Sequence, residues 1–520
     1  MKQQIIRGAL LCVSLTSFLG WTACSDDTLD EINKDRNHPT AVSSNFIITH
    51  IETSTAFSIT GGDFNSYLAV CLEHEAGAAE QMFNTDHRYV SMEEPSSFGN
   101  QWAEAYTVLA DCKDIISICS EGGAEEGNLV NRGIAKTIMA YNLALITDLF
   151  GDVPWTEALD FVTYMSPTLD KQETIYNDVF ALLDEALADL GSGSKSTVGN
   201  ADVYYGGDVS LWTKAVYALK ARYTMRLLGR AADRTSALNN VLSYIDKSFT
   251  SAAEEMKLDH YDAATMFNPT YVFCRSRDLN GLSKSLMDKF ITRNDPRANQ
   301  VAVNTSYELI TPDDAAYNPI PNGTGDKMQG VYSQAATNWS ETAPTQLLSY
   351  HELLFLKAEA QARLGQDASV TLRNAVAVSF ENLAVSLRAA ISSTFKNKVS
   401  GSVTLSSEAG GAYFDAVGAA RYAAHPLQEV MVEKYLAFFG ASGESVEAFS
   451  DYRRLTYLNE PFIELANPNN AASTDYPKGH FPLRLAYGSG DTTTNPHIAE
   501  AQGDGSFVYS EPVWWAGGTR

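Results

Sequence analysis

The sequence predicts a mainly α protein: a superhelix of paired amphipathic helices, interrupted by loop-rich excursions with a few short strands. Three observations carry that prediction. Apolar residues recur at spacings of three and four over long stretches. Glycines stand near the ends of those stretches. Two regions, about 256–346 and about 466–520, lose the periodicity and are rich in Pro, Asn, Gly and Tyr. An apolar stripe on a helix must pack on a neighbour, so the stripes imply helix layered on helix.

The elements follow in chain order. Residues 1–23 have the layout of a secretory signal: Lys2 and Arg7, then a short apolar run from Ala9 to Leu19. That run is too short to cross a bilayer, which takes about 20 residues, and no other apolar run is long enough. Trp21-Thr22-Ala23-Cys24 resembles a bacterial lipobox, with Trp21 in place of the usual Leu. Cys24 is therefore expected to carry acyl chains as the mature N-terminus, and two or more chains anchor stably. Residues 24–44 form an acidic tether (Ser25, Asp26, Asp27, Asp30, Glu31) that resembles a surface-export signal of Bacteroides-type lipoproteins.

A single domain is expected over 45–520, with its helical scaffold at about 45–255 and 347–465. Ile134, Ile138, Tyr141, Leu145 and Leu149 make one stripe; Ile175, Val179, Leu183, Ala186 and Leu190 make the next. Trp212, Val216, Leu219 and Tyr223 continue the series, and Leu353, Leu356, Ala360 and Leu364 add a fourth. Gly151, Gly191, Gly229 and Gly365 stand where helices end. The pairs read 130–149 with 174–190, 209–230 with 236–249, 347–364 with 367–388, and 426–440 with 445–455. Tyr350 to Gly365, with small Ala358 and Ala362, resembles a degenerate tetratricopeptide repeat. Within 256–346, Val301 to Leu309 reads as a short strand and Asn318 to Gly323 as turns.

Composition narrows the function. Asp and Glu total 63 against 38 Lys and Arg in 520 residues, a net charge of −25. That argues against a nucleic-acid partner, which needs a basic face. Cys71, Cys112, Cys119 and Cys274 remain after the signal and Cys24. No CxxC occurs, and Cys112 and Cys119 are seven apart in a helical stretch, too far for a bridge. Small buried thiols are the reading. Enzyme signatures fail: His74-Glu75 lacks the second His of HExxH, Gly440-Ala441-Ser442-Gly443 is no nucleophile elbow, and no Walker A motif occurs. No metal and no cofactor are expected.

One run is specific: Asp148-Leu149-Phe150-Gly151-Asp152-Val153-Pro154-Trp155-Thr156-Glu157-Ala158. It resembles the signature of the SusD/RagB family of nutrient-binding outer-membrane lipoproteins. Gly207-Asp208, Trp212-x-Lys214, Leu219-Lys220-x-Arg222, Asp295-Pro296-Arg297 and the Ser349–Gly365 helix follow in the family's order. Asp451-Tyr452-Arg453-Arg454, Tyr476-Pro477, Pro482-x-Arg484 and Trp514-Trp515 complete the set. These motif residues read as scaffold, with Asp208 and Asp233 as carboxylate partners for Lys220, Arg222 and Arg226.

The resemblance implies a SusD-like helical fold, no enzymatic chemistry, and a lipid-anchored, surface-exposed place on the outer membrane. It also implies a partner, a SusC-like TonB-dependent transporter for which the protein acts as a lid. The ligand would be an oligosaccharide or, in a RagB-like alternative, a peptide. A secreted glycoside hydrolase is the third reading, without a barrel pattern to support it. Sugars want flat aromatic platforms with polar neighbours. Two irregular, polar stretches, Gln81–Phe98 and 261–345, offer Tyr89, Tyr317, Tyr332 and Trp339 as platforms, and Asp86, Arg275, Arg277 and Asn338 as polar partners. Trp102, between Phe98 and Tyr106 at helical spacing, reads as core.

Overall fold

The computed structural model describes residues 42–89, 92–394, 398–440, 443–474, 477 and 479–520. The signal, Cys24, the tether up to residue 41 and Tyr476 lie outside the described residues. Ser44 to Arg520 make one compact unit. It begins with α1 (Ser44–Ser54), α2 (Asp63–Cys71), α3 (Glu80–Asp86), α4 (Gly99–Cys119), α5 (Leu129–Phe150), α6 (Gln172–Leu190), α7 (Val209–Arg226) and α8 (Arg234–Ile245). Then come α9 (Pro269–Arg277), α10 (Lys284–Thr292), α11 (Tyr350–Arg363), α12 (Ser369–Ser392), α13 (Ser407–Tyr413), α14 (Pro426–Ala437) and α15 (Ser445–Tyr457). The fold is mainly helical, as the stripes predict.

From Gly133 to Phe150, α5 is buried on every side, which makes it the central core helix. It packs against α4 and α6; α7 packs on α8, and α11 on α12. The fourth pairing needs correction. Lys434 of α14 and Asp451 of α15 form an ion pair at 2.6 Å, but α14 packs mainly on α11 and α15 on α2. Both helices bury charged residues, so each is held by partners that answer those charges. Apolar and long, α12 has the length and composition of a membrane span. Its Leu372, Val376, Phe380 and Leu387 side is buried in the core instead.

Strands are short. β1 (Glu75–Gly77) pairs antiparallel with β3 (Asn280–Leu282), and β2 (Met256–Leu258) with β7 (Thr345–Leu348). β4 (Ala302–Val303) lies between β5 (Leu309–Ile310) and β6 (Gln334–Ala335). Val301–Leu309 is thus not one strand. Asn304 Oδ1 accepts from the Ser306 and Glu308 amides, and this Asx turn folds the run back on itself. The excursion also holds two helices, α9 and α10, whose nine residues each are too few to show a period.

The family motifs interlock as buried braces. Asp148 accepts from Tyr176 Oη at 2.6 Å and Trp515 Nε1 at 2.7 Å, and Arg226 lies 3.6 Å away. Arg484, fully buried, donates to the Phe150 carbonyl and to Tyr487 Oη. Arg454 grips Glu359 with two bonds of 2.6 and 2.8 Å. Arg297 is chelated by Asp295 and sandwiched by Phe290 and Phe380, 4.9 and 4.7 Å from its Cζ. The carboxylate partners differ from those expected. Asp208 and Asp233 cap α7 and α8, because bare amides at a helix start draw an Asp. Lys220 pairs with Asp184, Arg222 with Glu352, and Arg226 with Glu447 and Asp148. Cys71, Cys112, Cys119 and Cys274 are buried free thiols.

Candidate functional site

An open cleft of about 450 Å³ lies between the end of α1, the start of α2, the first turn of α4, and α9. Thr55–Thr60 continues α1 as a π-helix, a turn type frequent at functional sites. It carries Phe57 to the cleft. Gly61 follows; a Cβ there would sit 2.6 Å from Pro269 Cγ, so glycine lets α9 approach. Asn268 caps α9 through the Thr270 and Tyr271 amides, with Pro269 in its favoured first-turn place. Phe273 and Arg277, one turn apart, reach the cleft, and Arg277 lies over the Phe273 ring at 5.6 Å.

The opposite walls are polar. Asp63 opens α2, and Gln101 and Glu104 lie in the first turns of α4. Burial raises the Asp63 pKa, offset by a hydrogen bond from Gln101 and by the Arg277 charge. Gln101 Oε1 is buried and has no donor among the described residues. The cleft therefore offers two aromatic faces and charges of both signs.

Of the residues expected from sequence, only Arg277 lines this cleft. Arg275, on the same helix, is exposed beside Phe267 and Tyr271. Tyr89 is 55% exposed and neighbours His87, which stacks on Phe83 at 3.9 Å. Tyr332 is half-buried and closes its own turn, bonding the Asp326 amide and carbonyl. Tyr317 is half-buried, its hydroxyl without a partner among the described residues.

Three expectations are corrected. Trp339 is 3% exposed, edge-on to Tyr307 at 4.7 Å, with Nε1 donating to Gln334; its large apolar surface joins the core. Asn338 is buried and donates to Glu75. Asp86 is buried, accepts from the Gly323 amide, and is pushed up to about 6 by that burial. It pins a turn rather than facing solvent. Sequence reading missed Phe57, Asp63, Gln101, Glu104 and Phe273; the Gly61-Gly62-Asp63 break between helical stretches was the available signal.

The loop at residues 327–329 is held by three contacts. Gln329 donates to the Arg277 carbonyl, the Met328 amide donates to Ala78, and Lys327 pairs with Glu80 at 3.1 Å. It links the end of α9 to the start of α3, the helix that precedes Tyr89.

A scaffold of paired helices carrying an open, aromatic and polar cleft defines a helical binding protein. Residues 36–488 match the SusD-like family model described as starch-binding and associating with the outer membrane. The chain belongs to this family, whose members are binding proteins rather than enzymes. It is 42% identical to a SusD/RagB family protein from Bacteroides thetaiotaomicron, with a TM-score of 0.87 over 92% of this chain and 100% of that one. A chitin-binding protein shares the fold at 20% identity and a TM-score of 0.69, over 91% and 100% of the two chains. A SusD homologue from Bacteroides fragilis gives the same values. No curated protein matches the chain.

Proposed function

We propose that the protein captures oligosaccharide at the cell surface and passes it to a SusC-like TonB-dependent transporter. In this reading it is the transporter's lid, held to the outer membrane by acyl chains on Cys24. Family membership supports the binding role and the membrane association. The observation that carries the ligand class is the Glu104 carboxylate in a cleft shared with Phe57 and Phe273. Sugar C–H faces stack on rings while hydroxyls donate to such a carboxylate. Arg277 and Asp63 serve as further hydroxyl partners. Tyr89 with His87 offers a second exposed surface, and Tyr317, Tyr332 and Arg275 stand as outlying candidates.

Calorimetric titration against a panel of glycans and peptides tests this. The Phe273→Ala variant is expected to lose about 1–3 kcal/mol of binding, roughly 5- to 150-fold in Kd, with its melting temperature little changed. Wild-type affinity in that variant would refute the cleft assignment. Binding to peptides alone would replace the glycan. Co-purification of a barrel transporter with the lipidated chain checks the partner.

A further inference from the structure

Three charged side chains line the cleft: Asp63, Glu104 and Arg277. Two of them answer each other. Burial raises the Asp63 pKa, while a Gln101 hydrogen bond and the Arg277 charge draw it back. The Arg277 guanidinium also lies over the Phe273 ring at 5.6 Å, so its charge is met by a carboxylate and an aromatic face. Glu104 differs. It is exposed at the cleft, and its carboxylate has no hydrogen bond or ion pair among the described residues. It stands one turn along α4 from Asn100 and Gln101, which line the same cleft.

A hydroxyl donates to such a carboxylate, but a protonated amine also answers its charge, and hydrogen bonds between ionised groups are about twice as strong as neutral ones. The Phe57 ring in the same cleft carries a π face that attracts an ammonium group. The chain as a whole carries a net charge of −25, a field that draws cations and repels carboxylated or sulfated sugars. A neutral glycan leaves the Glu104 charge unanswered. We propose that the cleft selects oligosaccharides of amino sugars with free, protonated amines, and that Glu104 receives the amine. This inference rests on the glycan reading above and names the sugar class within it.

Calorimetric titration of the protein with tetramers of glucosamine, N-acetylglucosamine and glucose, all in the same linkage, tests it. At mildly acidic pH the glucosamine tetramer should bind about 3- to 30-fold tighter than either neutral tetramer, as one exposed ion pair and one cation–π contact together supply. The gap should close as the amines lose their protons and as salt is added. Glu104→Gln should narrow the gap, whereas Asp114→Asn, which changes an exposed acid on the same helix outside the cleft lining, should leave it. Equal affinity for the three tetramers, or a gap that neither Glu104→Gln nor salt changes, overturns the proposal and leaves the glycan reading standing. Binding of lysine-containing peptides with no tetramer bound overturns both.

Discussion

Replacing Gly151 by Ala tests why the 148–158 signature holds this fold. Gly151 ends α5 at φ +82° and ψ −128°, a conformation only glycine adopts without strain. Holding another residue there costs about 1–3 kcal/mol. An added Cβ would also stand 2.7 Å from Arg484 Nη2 and 2.8 Å from its Cζ. Arg484 cannot swing away freely, because it is fully buried and bonded to the Phe150 carbonyl and Tyr487. Overpacking of this kind adds about 1–3 kcal/mol, for a total of about 2–6 kcal/mol. Over roughly 480 residues the unfolding entropy is about 1 kcal/mol per degree, so Tm should fall by about 2–6 °C. Gly365→Ala is the control: φ is +72°, yet nothing lies within 4 Å of the added carbon, so only backbone strain remains. Urea denaturation followed by tryptophan fluorescence compares the midpoints at constant slope. Equal losses in the two variants would refute the role given to Arg484.

Three further outcomes follow from the geometry. Trp339→Ala should lower stability by about 3–5 kcal/mol in urea melts and leave ligand affinity of the folded fraction unchanged, because Trp339 is core. Glu359→Ala strips Arg454 of its two-bond partner and should cost about 3–5 kcal/mol, whereas removing exposed Asp415 from Arg373 should leave the midpoint nearly unmoved; both read out as urea midpoints. The third concerns His351: burial, the largest single influence, opposes its charge, but Glu444 at 2.9 Å together with the Glu255 and Glu352 charges outweighs it and raises its pKa. Its folded value exceeds its unfolded value, so its contribution is fully present below about pH 6.5 and fades as pH rises through the folded pKa. Urea midpoints from about pH 6 to 9 should fall less steeply in His351→Gln, and an unchanged slope would remove that role.

The helical scaffold was legible because its stripes are long: α5, α6 and α7 each span several turns and show their period openly. Burial of the motif residues was legible too, since a partly apolar helix bearing Arg222 and Arg226 needs carboxylates inside. Which carboxylates was not legible. Glu352 and Glu447 lie more than a hundred residues from Arg222, and only the packing of α7 against α11 and α15 brings them close. The cleft failed for a related reason. Aromatics in polar stretches looked free, yet Trp339 has too much apolar surface to leave in water when Tyr307 and the core lie beside it. Phe57 and Phe273 were overlooked because both sit on helices, where a ring reads as core.

This division explains why the chain declares its family so much more readily than its ligand. Asp148, Gly151, Arg484 and Trp515 come from distant parts of the sequence and meet in one buried knot, so each constrains the others. A change at any of them leaves a buried charge or a clash, costs that threaten the whole fold. The cleft residues sit under no such constraint. Phe57, Asp63, Gln101, Glu104, Phe273 and Arg277 project from helix ends and first turns into open space, where substitution changes what is bound before it changes whether the chain folds. In the proposed reading, ligand choice therefore rests on a few side chains at three short stretches, held by a frame that is indifferent to their identity.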